Sequence, residues 1–345
     1  MKALVIEKDF SFGLKEVPIP EIGEYQALIK IQASAICGTD LKILHGKFSG
    51  FTDYPTILGH EAVGVVVERG AKVRNFEIGD RVLHPIIYEK IGGYYSTFGA
   101  MAEYAVVEDH EALAADGIPI DEKRHHDHSR IQYKIPSHFE PVPSTMLITF
   151  REVYSTFKRA NIQRGQSLVL YGLGPVGQVM VAVCKQAGVK TVAVVRRAEK
   201  AKLAEALGAD IVINSSVSDT AEAVRRHFPG GVDAVWDAAG FPGAINEGLK
   251  MIRPFGKIVM YGVMEDTHCL LDWKDRPLSF DLIFTQLPDK DAEIAAMDEI
   301  VSMVADGRLN GMDYISDVIP FENAEEGIKM FLERRNKKKI VFKLK

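Results

Sequence analysis

A glycine-rich turn gives the clearest chemical signal in this 345-residue sequence. The pattern G-x-G-x-x-G follows the apolar run Ser167–Tyr171 and precedes apolar residues at helical spacing. Glycine lets the backbone approach a pyrophosphate closely, and the start of the following helix offers free N–H groups. We therefore predict a dinucleotide site. Its residues are Gly172, Gly174, Pro175, Val176 and Gly177.

The end of the next predicted strand bears on the choice of cofactor. The strand Thr191–Val195 runs directly into Arg196 and Arg197, and no Asp or Glu stands at this point. Folds that bind NAD place an acid there to accept from the ribose 2′-OH, whereas guanidinium groups suit a 2′-phosphate. Two solvated arginines at a strand end are the alternative interpretation. We predict that NADP(H) is favoured over NAD(H).

Several short motifs occur in a fixed order before the glycine turn. They are Cys37-Gly-Thr39-Asp40, Gly59-His60-Glu61 and Gly79-Asp80-Arg81-Val82. With this set the chain resembles the zinc-dependent alcohol dehydrogenase and sorbitol dehydrogenase branch of the medium-chain dehydrogenase/reductase family. The chemistry agrees, because a thiolate and an imidazole are suitable ligands for a catalytic zinc, which uses about three protein ligands plus water or substrate.

The resemblance implies a role for each residue of the first two motifs. Cys37 and His60 are the implied zinc ligands, and Glu61 is a ligand or a close neighbour. Thr39 is implied to relay the proton of the alcohol, and Asp40 to orient the histidine. Zinc would acidify the bound alcohol so that hydride can leave to the nicotinamide. Purely structural roles for these residues remain the alternative.

The sequence departs from the family in three places. The segment Leu83–Ala100 lacks the four-cysteine lobe of many relatives, so we expect one catalytic zinc and no structural zinc. The family's further zinc-site residue falls near Ile148, which cannot ligate; Glu152, one helical turn along, could approach the metal, contact substrate or form an ion pair. The family's relay histidine falls at Lys42, with His45 further on, and we interpret both as surface charges.

The order of predicted strands and helices along the chain indicates an α/β protein with two domains. Short β segments and turns occupy the first part, and strands alternate with helices from about residue 148. We predict a β-rich GroES-like catalytic domain at 1–147, continued by 288–345, and a Rossmann domain with a doubly wound parallel sheet at 148–287. The cleft between them is the expected place for nicotinamide and zinc. The strand Lys339–Lys343 is predicted to end the chain.

Some segments have no assigned chemistry. The polar stretch Asp109–Arg130 is predicted to be a surface loop, and metal binding by its His125, His126 and His128 is the less favoured interpretation. Cys184 lies within an apolar helical stripe and is predicted to be a core residue. The run Arg334–Lys339 is locally basic.

Composition excludes several classes of partner. With 47% hydrophobic residues, a net charge of −5 and no basic stripe or long apolar run, neither nucleic acid nor a membrane is expected as a partner. Three cysteines cannot form a disulfide framework and no secretory pattern opens the chain, so we expect a cytoplasmic protein. The resemblance implies a homodimer or homotetramer acting on a small alcohol or carbonyl substrate.

These observations lead to one predicted activity and two alternatives. The predicted activity is NAD(P)-linked interconversion of an alcohol (polyol, sugar-derived or secondary) and its aldehyde or ketone. A zinc-free NADPH-dependent quinone or alkene reductase would explain Ile148 but leaves Cys37, His60 and Glu61 without a purpose. A non-catalytic nucleotide-binding protein would not need the hydroxyl of Thr39 beside Cys37.

Overall fold

The computed structural model describes residues 1–48, 53–119, 126–264 and 268–345, with only the backbone for His126. The chain divides into two compact units. Unit 1 comprises 1–149 and 297–345, and unit 2 comprises 150–296. The sequence-based boundaries were 147 and 288, and the later of them falls just before the helix Lys290–Ala305, whose first half belongs to unit 2.

The strands and helices of the described residues are numbered in chain order. The strands are β1 (Lys2–Ile6), β2 (Phe12–Glu16), β3 (Gln26–Ala35), β4 (Thr56–Ile57), β5 (Glu61–Arg69), β6 (Arg81–Leu83), β7 (Tyr95–Ser96), β8 (Tyr104–Glu108), β9 (Tyr133–Ile135), β10 (Ser167–Tyr171), β11 (Lys190–Val195), β12 (Ile211–Asn214), β13 (Val232–Asp237), β14 (Ile252–Met260), β15 (Asp281–Phe284), β16 (Ile315–Pro320) and β17 (Lys339–Lys343). The helices are α1 (Gly38–Leu44), α2 (His110–Ala115), α3 (Pro141–Ser144), α4 (Met146–Arg159), α5 (Pro175–Ala187), α6 (Ala198–Leu207), α7 (Thr220–His227), α8 (Gly243–Leu249), α9 (Lys290–Ala305) and α10 (Ala324–Leu332). None of the helices in these ranges is long and apolar enough to cross a membrane.

Unit 1 is built from two β-sheets. One has the strand order β16-β17-β3-β5-β6-β9, with β8 also paired to β3, and the other has the order β2-β1-β4-β7. The apolar residues of β1 and β3 lie in one core cluster with those of β5 and β17. Most neighbours in these sheets are antiparallel, which suits short strands joined by glycine-containing turns. The predicted β-rich domain is confirmed.

Unit 2 contains one parallel sheet with the strand order β12-β11-β10-β13-β14-β15. All five residues of β10 are buried, as expected for a strand covered on both faces by helices. The strand order reverses between β10 and β13, and in such sheets ligands bind at the carboxyl ends of the strands beside the reversal. The predicted doubly wound Rossmann fold is therefore confirmed.

The stretch Asp109–Arg130 is not simply a surface loop. Asp109 is buried and caps α2 by accepting from the backbone N–H of Ala112 at 3.0 Å, and it also accepts from the N–H of Arg74 at 2.7 Å. His128 is buried as well, so the surface-loop prediction is wrong for both ends of the stretch. His125 lies outside the described residues. The prediction that Cys184 belongs to the core is confirmed, because its side chain is fully buried.

Candidate active site

Strand register brings the predicted metal ligands together within unit 1. Cys37 follows the end of β3, and His60 immediately precedes β5. The two strands are antiparallel and pair Ala35 with Glu61, so the end of one meets the beginning of the other. The sheet thus places the three residues side by side although the two motifs are far apart in the chain.

Gly59 fixes the approach of the chain to His60. Its φ of +98° lies in the left-handed region. A Cβ atom at this position would lie 2.5 Å from the Met101 Cγ and 2.6 Å from the Met101 backbone nitrogen. Because the backbone nitrogen cannot yield easily, only glycine fits here.

The side chains of Cys37, His60 and Glu61 form a compact cluster. One ligand atom from each, a sulfur, a ring nitrogen and a carboxylate oxygen, lies within 4.8 Å of the others. In a tetrahedral zinc site such atoms are about 3.5 Å apart, given the usual bond lengths to the metal. His60 and Glu61 are buried and Cys37 is half-buried. The donor set therefore fits zinc after a small contraction.

Asp40 lies behind His60 and is fully buried. One carboxylate oxygen of Asp40 accepts from the backbone N–H of Cys37 at 2.8 Å. The other lies 3.9 Å from Nδ1 of His60, and among the described residues neither of these two atoms has a hydrogen-bond partner. A histidine that binds a metal usually donates its other ring N–H to a carboxylate. Asp40 is in position to accept that bond, which supports the metal interpretation.

The electrostatics of the cluster favour a positive charge. Burial opposes the charged form of His60, but Cys37, Asp40 and Glu61 together raise its pKa to about 10. Burial also raises the pKa of Asp40, against the attraction of His60. Buried acidic groups are unfavourable unless cations compensate them; the ammonium group of Lys339 pairs with Glu61, and a metal ion could supply further positive charge.

Sequence reasoning missed two residues that contact Glu61. Lys339 donates from Nζ to Oε2 of Glu61, and Thr149 donates to Oε1 at 3.1 Å. Lys339 is only 3% exposed, although it ends the basic run that begins at Arg334. The available signal was that Lys339 also begins the apolar strand β17, whereas the preceding residues of the run belong to no strand or helix.

The rings of Phe98 and His84, which contact His60 and His128 respectively, were also missed. The ring of Phe98 lies 5.2 Å from that of His60 and 5.1 Å from that of His128. His128 is stacked on His84, with a hydrogen bond of 3.0 Å between Nδ1 of His128 and Nε2 of His84. Since one of the two bonded ring nitrogens must accept, at least one of these imidazoles is neutral. Phe98 packs against His60 and restricts the orientation of its ring.

Thr39 belongs to α1, which begins directly after Cys37. Its side chain is half-buried, and its Oγ1 atom lies 3.9 Å from Sγ of Cys37. This places one hydroxyl beside the cluster. His45 is exposed at the end of α1, which agrees with its interpretation as a surface group. Glu152 lies half-buried on α4 in unit 2, and its contribution to metal binding stays a prediction.

In unit 2 the glycine turn lies at the carboxyl end of β10. Gly172 has a φ of +91°, and a Cβ on Gly177 would lie 2.0 Å from the carbonyl oxygen of Gly172. Gly174 precedes the first residue of α5, Pro175, and no atom lies within 4 Å of the Cβ position at Gly174. The turn is therefore closed tightly by Gly172 and Gly177, while the space at Gly174 stays open for a ligand.

Arg196 and Arg197 lie at the carboxyl end of β11, beside the glycine turn. The parallel register pairs Tyr171 of β10 with Val194 of β11, so both strands end at the same edge of the sheet. Both arginines are exposed, and Nη1 of Arg197 lies 3.1 Å from a carboxylate oxygen of Glu199. Burial and the charge of Arg197 lower the pKa of Lys200. Positive charge is thus concentrated at this edge.

Comparison with known proteins agrees with the folds of both units. The family model for the alcohol dehydrogenase GroES-like domain matches residues 23–117, and the model for zinc-binding dehydrogenases matches residues 175–286. An alcohol dehydrogenase of Geobacillus stearothermophilus is 31% identical over 283 residues, which is 76% of this chain and 77% of the relative. A putative D-xylulose reductase of Agrobacterium fabrum is 29% identical and covers 97% of both chains.

Solved structures share the fold over the whole chain. The structure of the alcohol dehydrogenase TADH from Thermus sp. ATN1 has a TM-score of 0.80 at 24% identity and covers 100% of both chains. A Rossmann unit with a dinucleotide turn, joined in one chain to a GroES-like unit, defines a nicotinamide-dependent dehydrogenase. The chain belongs to the zinc-binding alcohol dehydrogenase family, and it is an oxidoreductase that acts on the alcohol group.

Proposed function

We propose that the protein interconverts an alcohol (polyol, sugar-derived or secondary) and its aldehyde or ketone, using one catalytic zinc ion and NADP(H). The observation that carries this proposal is the cluster of Cys37, His60 and Glu61, whose ligand atoms lie within 4.8 Å of one another. The buried Asp40 behind His60 supports a metal rather than a structural role. The full-length similarity to a putative D-xylulose reductase favours a polyol substrate.

Four residues of unit 1 have a defined part in this reaction. Cys37 and His60 hold the metal, and Asp40 accepts from Nδ1 of His60 and so fixes its ring. Zinc held by Cys37 and His60 would supply Lewis-acid chemistry, lowering the pKa of an alcohol hydroxyl that is oxidised by the nicotinamide. Thr39 would relay the released proton, accepting it at Oγ1 beside the sulfur of Cys37 and passing its own hydroxyl proton on to water.

The dinucleotide is held by unit 2. Gly174 leaves room for the pyrophosphate, and the free N–H groups at the start of α5 face it. Arg196 and Arg197 bind the 2′-phosphate of NADP(H) at the end of β11. The chain's own charges therefore distinguish the two nicotinamide cofactors.

The experiment that tests the proposed function is a screen of polyols, sugar alcohols and simple alcohols with NADP⁺ and NAD⁺. Formation of reduced nicotinamide is followed by absorbance, and zinc is measured in protein purified without chelators. We expect about one zinc per chain and oxidation of secondary alcohols, both lost together on removal of the metal. Zinc below about 0.2 per chain, with reduction of quinones or activated alkenes instead, would establish the zinc-free alternative.

The preference for NADP(H) is tested with the variant Arg196→Asp/Arg197→Ala. Loss of both guanidinium groups and gain of a ribose acceptor should lower the ratio of kcat/KM for NADP⁺ over NAD⁺ by about tenfold to a hundredfold. The matched control is Arg225→Ala/Arg226→Ala, which removes two charges from α7 on the same unit. An unchanged ratio in the first variant would refute the phosphate clamp.

We also propose a homodimer formed through β15. This strand is at the edge of the parallel sheet, and exposed apolar side chains lie on it or within three residues of its ends. These are Leu278, Phe284 and Leu287. An unpaired edge with apolar neighbours is suited to pairing with a second copy. In sedimentation velocity, Leu278→Glu/Leu287→Glu should be monomeric and the control Val217→Glu dimeric; a monomeric wild-type protein would contradict the proposal.

A further inference from the structure

Both carboxylate oxygens of Glu61 are engaged by other side chains of unit 1. Oε2 accepts from the Lys339 ammonium group, and Oε1 accepts from Oγ1 of Thr149 at 3.1 Å. Lys339 also donates to Oγ1 of Thr149 at 2.9 Å, which closes a triangle of hydrogen bonds. All three side chains are buried. The carboxylate that forms the metal-binding group with Cys37 and His60 is therefore held by a cation of the protein itself.

The backbone fixes this cation in place. Lys339 is the first residue of β17, and the sheet order β17-β3-β5 puts its strand beside the one that leads to Cys37. Ala35 pairs with Val341 on one side and with Glu61 on the other. The register of the sheet thus places the ammonium group of Lys339 at the same edge as the metal cluster. Lys339 is therefore a fixed residue of β17 and not a mobile part of the basic run.

A metal ion and Lys339 require the same carboxylate. A buried carboxylate must be compensated by a cation, and its attraction to one cation weakens its availability to another. Within the described residues, Glu61 alone joins Cys37 and His60 in a group of three metal-binding side chains. A third protein ligand can come from this group only if Glu61 exchanges Lys339 for the metal.

We propose that Lys339 is a built-in competitor for Glu61, which withholds this carboxylate from the metal and thereby sets the affinity of the site. While Lys339 holds Glu61, Cys37 and His60 would be the residues that hold the metal. Thr149 supports the withheld position through its bond to Oε1 of Glu61. This inference rests on the proposed zinc site and goes beyond it by assigning a role to Lys339.

The test is the zinc affinity of Lys339→Met, measured by competition with a chromogenic chelator. Removing the competing cation frees Glu61 for the metal, so Kd for zinc should fall. Groups directly behind a metal ligand change affinity by about tenfold to a hundredfold, and we expect a decrease of that size. Lys339→Arg retains the cation and should stay close to wild type. An unchanged or higher Kd in Lys339→Met would overturn the inference, because Lys339 would then only position Glu61.

Two further measurements identify the cause of a tighter site. In Lys339→Met/Glu61→Gln the carboxylate is removed as well, so the gain in affinity should disappear; if it persists, the freed carboxylate is not its source and the inference fails. In protein loaded with Co²⁺, Lys339→Met should have a visible absorption spectrum that differs from that of both wild type and the double variant, because an oxygen ligand is added. Identical spectra would contradict ligation by Glu61.

The outcomes separate this inference from the proposed function. If the wild-type protein binds no zinc, the zinc site and the role of Lys339 fail together. If wild type binds about one zinc and Lys339→Met does not bind it more tightly, only the role of Lys339 fails. If metal-free Lys339→Met does not stay folded, the rate of zinc release from the zinc-loaded variant is measured instead. We expect slower release than from wild type. Equal or faster release would contradict the inference.

Discussion

Cys37→Ser is expected to lose the zinc ion and to lower kcat by about a thousandfold or more. A serine hydroxyl is neutral and hard, so it replaces a thiolate poorly as a zinc ligand. His60 would then be the one remaining side chain of the cluster without a competing cation, since Glu61 is held by Lys339. Zinc contributes several kcal/mol to stabilising the developing alkoxide, and about 1.4 kcal/mol corresponds to a factor of ten in rate.

The matched control for this variant is Cys269→Ser. Cys269 is exposed in unit 2, so the same chemical change there should leave zinc content and kcat unaltered. Zinc is measured by elemental analysis of both variants, and thermal unfolding of the protein shows whether Cys37→Ser is still folded. A folded Cys37→Ser protein that retains zinc and wild-type turnover would remove Cys37 from the metal site.

The features that could be predicted from sequence are those formed by residues that follow one another in the chain. The glycine turn, the strand before it and the helix after it form one continuous segment, so β10 and α5 follow directly from spacing and periodicity. The exposed arginines after β11 are another local feature. Zinc ligands in two separate motifs were assigned through a family resemblance rather than from periodicity.

The parts that could not be predicted depend on strand register between distant segments. Lys339 reaches Glu61 because β17 lies beside β3, which lies beside β5. This strand order cannot be predicted from the local sequence. Seen alone, Lys339 is the last of several basic residues, for which a solvated surface is the ordinary interpretation. His84 and His128 also come from distant segments, since His128 lies within the polar stretch that begins at Asp109, 44 residues along the chain from His84.

Burial of polar residues was the other source of error. The composition of Asp109–Arg130 favours solvent exposure, but the carboxylate of Asp109 accepts several N–H groups, and these bonds compensate its burial. The same principle explains why Thr149 is buried, since its hydroxyl lies between Lys339 and Glu61. Polar residues with fixed partners are therefore core residues that hydropathy does not identify.

Thr39→Val is expected to lower kcat by about a hundredfold or more while zinc content and cofactor affinity stay at wild-type levels. Valine has nearly the same shape as threonine but lacks the hydroxyl, so the change removes the group that receives the proton and little else. Positioned acid–base groups contribute about a hundredfold to ten-thousandfold to a rate. Thr39 is half-buried with its hydroxyl 3.9 Å from the sulfur of Cys37, whereas the hydroxyl of Thr149 is bonded to Glu61 and Lys339.

Thr39→Ser is the matched control, because it keeps the hydroxyl and removes only a methyl group. It should retain most of the wild-type kcat, and both variants should bind NADP(H) as wild type does, since Thr39 and the dinucleotide turn belong to different units. The pH dependence of kcat separates proton transfer from simple positioning. If Thr39 relays the proton, Thr39→Val should recover part of its turnover at high pH, where hydroxide in solution can accept the proton directly, whereas a variant that is only mispositioned should stay slow at every pH. Equal kcat values for Thr39→Val and Thr39→Ser would show that the alcohol proton leaves by another path.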